Sequence, residues 1–168
     1  MADFIPAFEA MIENEGGYKL HTVAGDKGGM TYAGIARNFH PNWPGWSSID
    51  RGGIPETLLV CDFYRQNFWN SIRGNEIVSD LIATTIFDFG VNAGVGTATK
   101  LAQAVVGTTP DGKIGPQTLA ALNAADPETF LLTYALAKIA RYRDIVTRDR
   151  SQEKFLLGWI NRTLLGVT

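Results

Sequence analysis

The segment from Glu13 to Ile35, "ENEGGYKLHTVAGDKGGMTYAGI", decides how the rest of the chain is read. Before it, Phe4, Ile5, Phe8, Met11 and Ile12 form one apolar stripe at helical spacing, which predicts a helix from about Asp3 to Asn14. Asp3 suits the N-cap and Pro6 the first turn, where a missing N–H costs little. Gly16 and Gly17 then stop the helix, because glycine enters the left-handed region without a Cβ clash. Residues 18–30 read as an irregular loop or short hairpin, and "TYAGIARNF" from Thr31 as a short helix with Thr31 near its cap.

Outward from this segment the pattern is mainly α. "HPNWPGWSSIDRGGIP" is a Pro/Gly/Trp loop, followed by helices over Pro55 to Trp69, over "SDLIATTIFDFGVNAG" with Ser79 as cap, and over "GTATKLAQAVVG" up to Gly107. "TTPDGKIGPQT" is a turn with Pro116 at a helix N1 position. It lacks the alternating acids and terminal Glu of a calcium loop. "PQTLAALNA", "DPETFLLTYALAKIARYRDIVTR" and "SQEKFLLGWINRTLL" complete the helices. There is no internal repeat or low-complexity linker, and the only seam falls near Val95–Gly107.

With 168 residues, 45% hydrophobic and 19% charged, the chain suits one domain, or one domain with a small lobe, around a sizeable core. A formal charge of -2 gives no general attraction to nucleic acid or anionic membrane. The charge is uneven: Lys138, Arg141, Arg143, Arg148, Arg150, Lys154 and Arg162 outnumber Asp144, Asp149 and Glu153 in the last helices. A solvated helix face explains this, and so does attraction to an anionic polymer or bacterial surface. The single cysteine, Cys61, excludes an internal disulfide and suits a reducing cytosol. Within an amphipathic helix it reads as a core thiol rather than a nucleophile. The N-terminus has no basic region and carries Asp3, Glu9, Glu13 and Glu15, so no Sec signal peptide is expected. No apolar run approaches the roughly 20 residues of a spanning helix, so no stable membrane insertion is expected either. His21, His40 and Cys61 lack ligand spacing, and neither metal nor cofactor is expected.

The chemistry concentrates in the opening segment. A glycosidase needs a carboxyl group that stays protonated long enough to protonate a leaving oxygen. Glu15 sits in the last turn of the first helix, where the negative end of the helix dipole disfavours a carboxylate; an apolar lining from Tyr18 or Tyr32 would act in the same direction. The side-chain-free Gly16 and Gly17 would let a bulky polymer approach. Asp26, eleven residues on, lies in a polar glycine-rich loop that suits an ionised acid. It could activate a water or stabilise an oxocarbenium-like transition state, with Thr31 orienting the water. Both also have plain structural readings, Asp26 as a turn residue and Thr31 as an N-cap.

"ENEGGY" followed by "DKGGMTYAGI" resembles the signature of glycoside hydrolase family 108, peptidoglycan N-acetylmuramidases that include phage endolysins. The similarity continues through "YRQNFWNSI" and "IFDFGVNAG", then into "ATKLAQAVVG…DGKIGPQTLAAL", which is similar to the peptidoglycan-binding region that follows the catalytic part. The resemblance implies a lysozyme-like helical fold with a small irregular or hairpin active-site loop. It implies a catalytic region over 1–94 and a wall-binding helical region over 95–168, packed as one compact unit. It makes Glu15 the catalytic acid, with Asp26 and Thr31 in the acid–acid–threonine order of phage-type lysozymes. The implied reaction is hydrolysis of the β-1,4 bond between N-acetylmuramic acid and N-acetylglucosamine. A lytic transglycosylase and a non-catalytic wall-binding module are the alternatives. The implied setting is a phage or prophage lysis enzyme, made in the host cytoplasm and released to the periplasmic wall by a holin-like partner. It would act as a monomer, with peptidoglycan as partner.

Asp88 and Asn92 stand four apart on an apolar helix and so share a face. Likeness to lysozyme folds points them, with Tyr18 and Tyr32, toward a substrate cleft; a satisfied core network is the competing reading. Arg37, Arg65 and Arg73 could pair with such acids. Trp43 and Trp46 read as capping the core beneath the loop rather than stacking on sugars, and Tyr134 and Tyr142 as core packing.

Overall fold

The first helix, α1 (Phe4–Asn14), starts as its sequence directs: the Ile5 N–H donates to Asp3 Oδ1 at 3.1 Å. The computed structural model describes residues 1–14, 16–22 and 28–167. Phe4, Ala7, Phe8, Met11 and Ile12 form the buried face of α1, whereas Ile5 is exposed, so the apolar stripe is one residue narrower than its sequence suggests. The Gly17 N–H reaches back to the Ile12 carbonyl at 2.9 Å, with Gly16 and Gly17 at φ +88 and +78. Those left-handed angles are what close the helix.

A small antiparallel sheet follows, β1 (Leu20–Thr22), β2 (Met30–Tyr32) and β3 (Ile35–Ala36), in that order. Leu20 pairs with Tyr32 and His21 with Thr31; across the next turn Tyr32 pairs with Ile35. The helix expected from Thr31 is therefore absent, and a two-residue hairpin stands in its place. Ala33 and Gly34 both have positive φ, +48 and +79, as a type I′ turn requires. Tertiary contact selects it: the Tyr64 hydroxyl donates to the Ala33 carbonyl at 2.8 Å. A Cβ on Gly34 would lie 2.4 Å from that hydroxyl.

The Pro/Gly/Trp loop contains a short helix, α2 (Trp46–Asp50). Trp43 and Trp46 are buried edge to face, their indole N–H groups donating to the carbonyls of Leu59 and His40, so they cap the core beneath the loop. Helix α3 (Thr57–Tyr64) continues into a wider turn over Arg65–Trp69 and two 3-10 turns, the second after Arg73 at φ +53.

Helix α4 (Asp80–Ala93) begins at Ser79, whose hydroxyl accepts from the Ile82 N–H, and buries Ile82, Ala83, Ile86, Phe87 and Phe89. Asp80 also accepts from the Asp3 N–H at 2.7 Å, tying the start of α4 to the start of α1. Gly94, at φ +87, turns the chain into α5 (Val95–Val105). Helix α6 (Pro116–Ala124) carries its proline at the N-terminus, and α7 (Pro127–Arg148) is capped by Asp126. Helix α8 (Glu153–Leu165) packs back on α7. The turn between α5 and α6 is organised by buried Gln103, which donates to Asp111 and the Lys113 carbonyl and accepts from the Gly112 N–H.

One hydrophobic core runs through these elements, from Phe4, Trp69 and Phe87 in mutual ring contact to Ala98, Ala102, Tyr134 and Tyr142. It draws on residues before and after Gly94 alike. The Tyr134 hydroxyl donates to the Ala98 carbonyl at 2.9 Å, so the phenol pays no unsatisfied-polar cost for full burial.

Candidate active site

The C-terminal end of α1 borders the larger of two adjoining cavities. Met11 and Asn14 form one wall of a space of about 490 Å³, with Thr84, Thr85 and Asp88 of α4 and Asn161 and Arg162 of α8 opposite. Lys138 of α7, Asp88 and Arg162 also wall a second cavity of about 220 Å³, lined further by Phe89, Asn92, Arg141, Tyr142 and Trp159. Three side chains thus divide the two spaces.

Their electrostatics are unequal. Asp88 pairs with Arg162 at 3.1 Å, both partly exposed. Lys138 is only 8% exposed. Its Nζ reaches the Thr85 hydroxyl at 3.4 Å and lies over the rings of Phe89 and Tyr134. Burial lowers its pKa to about 8, while Asp88 works to raise it and Arg162 to lower it further. Burial likewise pushes the Tyr142 phenol upward. The polar part of the smaller cavity is thus mainly cationic and its walls are largely aromatic, an arrangement that suits an anion carried on an apolar stem.

Glu15 and Asp26 lie outside the described residues. Thr31 is on β2, buried, its hydroxyl donating to the Gly29 carbonyl at 3.3 Å rather than capping a helix. Tyr32 is buried and stacked on Trp43. Tyr18 is 41% exposed; burial raises its pKa most, and Cys61, Tyr32 and Glu9 act on it in the same direction. Tyr18 and Tyr32 therefore group at the hairpin, whereas Asp88 and Asn92 group on α4. Asn92 donates to the Asp88 backbone carbonyl at 2.7 Å and reaches the smaller cavity.

The arginines expected to answer Asp88 are engaged elsewhere. Arg37 makes a double contact with Asp50, Arg73 pairs with Glu76, and Arg65 lies over the Phe4 ring at 4.3 Å. The partner is Arg162, which sequence alone grouped with a general basic stretch. Lys138 was missed in the same way, and Trp159 as a residue on a helical face. The available signal was phase: Lys138 lies four residues from both Tyr134 and Tyr142, on the buried stripe of α7. Among the described residues no three His, Cys, Asp or Glu side chains gather as metal ligands. No described helix is long and apolar enough to cross a membrane.

Residues 8–94, more than half of the chain, match the family described as Glycosyl hydrolase 108, and residues 97–164 match the family described as Predicted Peptidoglycan domain. Twelve chains of solved structures match. Among them is SagA of Brucella abortus, 24% identical over 98% of this chain and 95% of that one, with a TM-score of 0.67. That likeness bears on the fold, which is mainly helical and lysozyme-like. The comparison with curated proteins finds no match. The fold and the two family matches together define a glycoside hydrolase that acts on peptidoglycan. The chain belongs to the glycosyl hydrolase 108 family.

Proposed function

We propose that the chain is an N-acetylmuramidase that hydrolyses the β-1,4 bond between N-acetylmuramic acid and N-acetylglucosamine, with Glu15 as general acid. One observation carries this reading: α1 closes at Asn14 against the larger cavity, and the next residue in the chain is Glu15. The carbonyl end of a helix disfavours a nearby carboxylate and so favours a proton-donating carboxylic acid. Asp26, helped by Thr31, serves the water or the developing positive charge. Tyr18 and Asp88 contact the glycan and Asn92 meets the substrate from the smaller cavity, while Tyr32, buried against Trp43, contributes by shaping the hairpin. Residues 1–94 carry catalysis and 95–168 bind the wall. The biological setting is host lysis by a monomeric phage or prophage endolysin, released to the periplasm through a holin-like partner.

Mass spectrometry of digested peptidoglycan tests the reaction. Reducing N-acetylmuramic acid ends are expected; 1,6-anhydro ends would establish a lytic transglycosylase instead. Glu15→Gln is expected to lower wall clearance by at least a hundredfold, in keeping with the loss of a positioned general acid. Clearance at the wild-type rate removes the acid assignment.

A further inference from the structure

We propose that the 220 Å³ cavity between α4, α7 and α8 is a subsite for a carboxylate of the peptidoglycan stem peptide, with Lys138 and Arg141 as its charge partners and Tyr142 and Trp159 as its walls. This rests on the wall glycan being the substrate.

The first ground is an uncompensated charge. Burying a cation is costly unless an anion meets it. Arg162 has Asp88, but among the described residues no carboxylate lies within ion-pair distance of Lys138 or Arg141. Among the described residues, the cavity wall presents Lys138 and Arg141 in addition to the Asp88–Arg162 pair. A ligand carboxylate entering there would supply the missing counter-charge.

The second ground is size and shape. Pockets that enclose a whole drug-sized ligand run to about 300–1,000 Å³. A 220 Å³ space takes a side-chain-sized group rather than a disaccharide. The Tyr142 and Trp159 rings, 5.2 Å apart and tilted by 30°, form a continuous apolar wall for the carbon chain that carries the charge.

The third ground is position. Asp88, Lys138 and Arg162 border this cavity on one side and the larger one on the other. A glycan in the larger space would therefore have its lactyl-linked peptide within reach of the smaller. N-acetylmuramic acid carries that peptide, and the peptide carries free carboxylates.

The test uses the full chain and the free stem tetrapeptide, alongside the same peptide with its carboxylates amidated. Binding is read calorimetrically and by Trp159 fluorescence, assigned with Trp159→Phe. The carboxylate peptide is expected to bind at least tenfold more tightly than its amidated form. Lys138→Met and, at a half-buried position, Arg141→Gln should each weaken it by about tenfold, the usual effect of losing one charge-assisted hydrogen bond. Equal affinity for the two peptides overturns the proposal, as does binding unchanged in both variants. So does a glycerol-phosphate oligomer binding more tightly than the peptide, which would make the site a phosphate site. The assay reads no glycosidic cleavage, so failure of peptide binding and failure of the muramidase reading are separate results.

Discussion

Replacing Lys138 with Met keeps the length of a buried side chain and removes its charge, so the stability difference between the two proteins should depend on pH in a defined way. Lys138 is 8% exposed, and its pKa falls from 10.5 to about 8, chiefly through burial. That gap corresponds to about 3 kcal/mol of penalty on the charged form. Contacts of Nζ with the Phe89 and Tyr134 rings, at 5.1 and 5.0 Å, favour the charged form and offset roughly 1–2 kcal/mol of it. A net effect of about 1–2 kcal/mol remains. Below pH 8 the lysine is charged in both folded and unfolded chains, and the penalty applies in full. Between about 8 and 10.5 the unfolded chain binds more protons, so wild-type stability rises with pH relative to the variant. Above that window the penalty is gone. Among the described residues the titratable groups around Nζ are Asp88, Arg162, Tyr134 and Tyr142; burial pushes both phenols upward, so neither supplies this transition. Urea unfolding of both proteins from pH 7 to 10.5, plotted as a difference, cancels the remaining lysines and tyrosines. The Met variant should equal or exceed wild type at pH 7 and lose about 1–2 kcal/mol of that advantage by pH 10.5. A flat difference would refute the reasoning, since it requires Lys138 to keep its ordinary pKa in the folded chain.

Four further outcomes follow from contacts elsewhere in the fold and around Asp88. Asp88→Asn removes the carboxylate that meets Arg162 at 3.1 Å and the group that favours charged Lys138. It should cost about 1–2 kcal/mol, less than a fully buried pair, and shift the Lys138 stability transition to lower pH. Gly34→Val forces a β-branched residue to φ +79 with its Cβ 2.4 Å from the Tyr64 hydroxyl, and should cost about 2–4 kcal/mol by thermal melting. Gly16→Ala, at φ +88 with nothing within 4 Å, should cost only about 1 kcal/mol. Gln103→Leu strips Asp111 and the Gly112 N–H of a buried partner. A loss of about 2–3 kcal/mol is expected, with faster proteolysis in the turn between α5 and α6.

Helix boundaries set by local chemistry were legible. Ser79, Asp126 with Pro127, and Pro116 each sit where a cap or first turn demands that residue type, and the structure starts its helices there. The 31–39 segment was not legible. Tyr32, Ile35, Ala36 and Phe39 recur at helical spacing, and Ala33–Gly34 lacks the Asn-Gly or Asp-Gly signature of a tight hairpin. What selects the hairpin is Tyr64, thirty-one residues away in sequence from Ala33. Side-chain partners were hidden where they are distant in sequence: nothing local to Arg37 indicates that Asp50, rather than Asp88, receives it, whereas Glu76 stands only three residues from Arg73.

The basic stretch from Lys138 to Arg162 shows why charge counting alone stops short of a site. Arg143, Arg148, Arg150 and Lys154 are exposed, as a solvated helix face requires. Lys138 is buried, and Arg141 and Arg162 are partly so. The two populations are interleaved in sequence and differ only in helical phase. On α7, Lys138 lies one turn from Tyr134 and one turn from Tyr142, so the stripe that buries those rings must bury the lysine with them. On α8, Arg162 lies three residues after Trp159 and meets Asp88 across the gap to α4. A cation on an aromatic stripe is costly in a core that only has to pack. It is less costly where a ligand anion can meet it, which is why the inward-facing cations, and not the larger exposed set, mark the cavity worth testing.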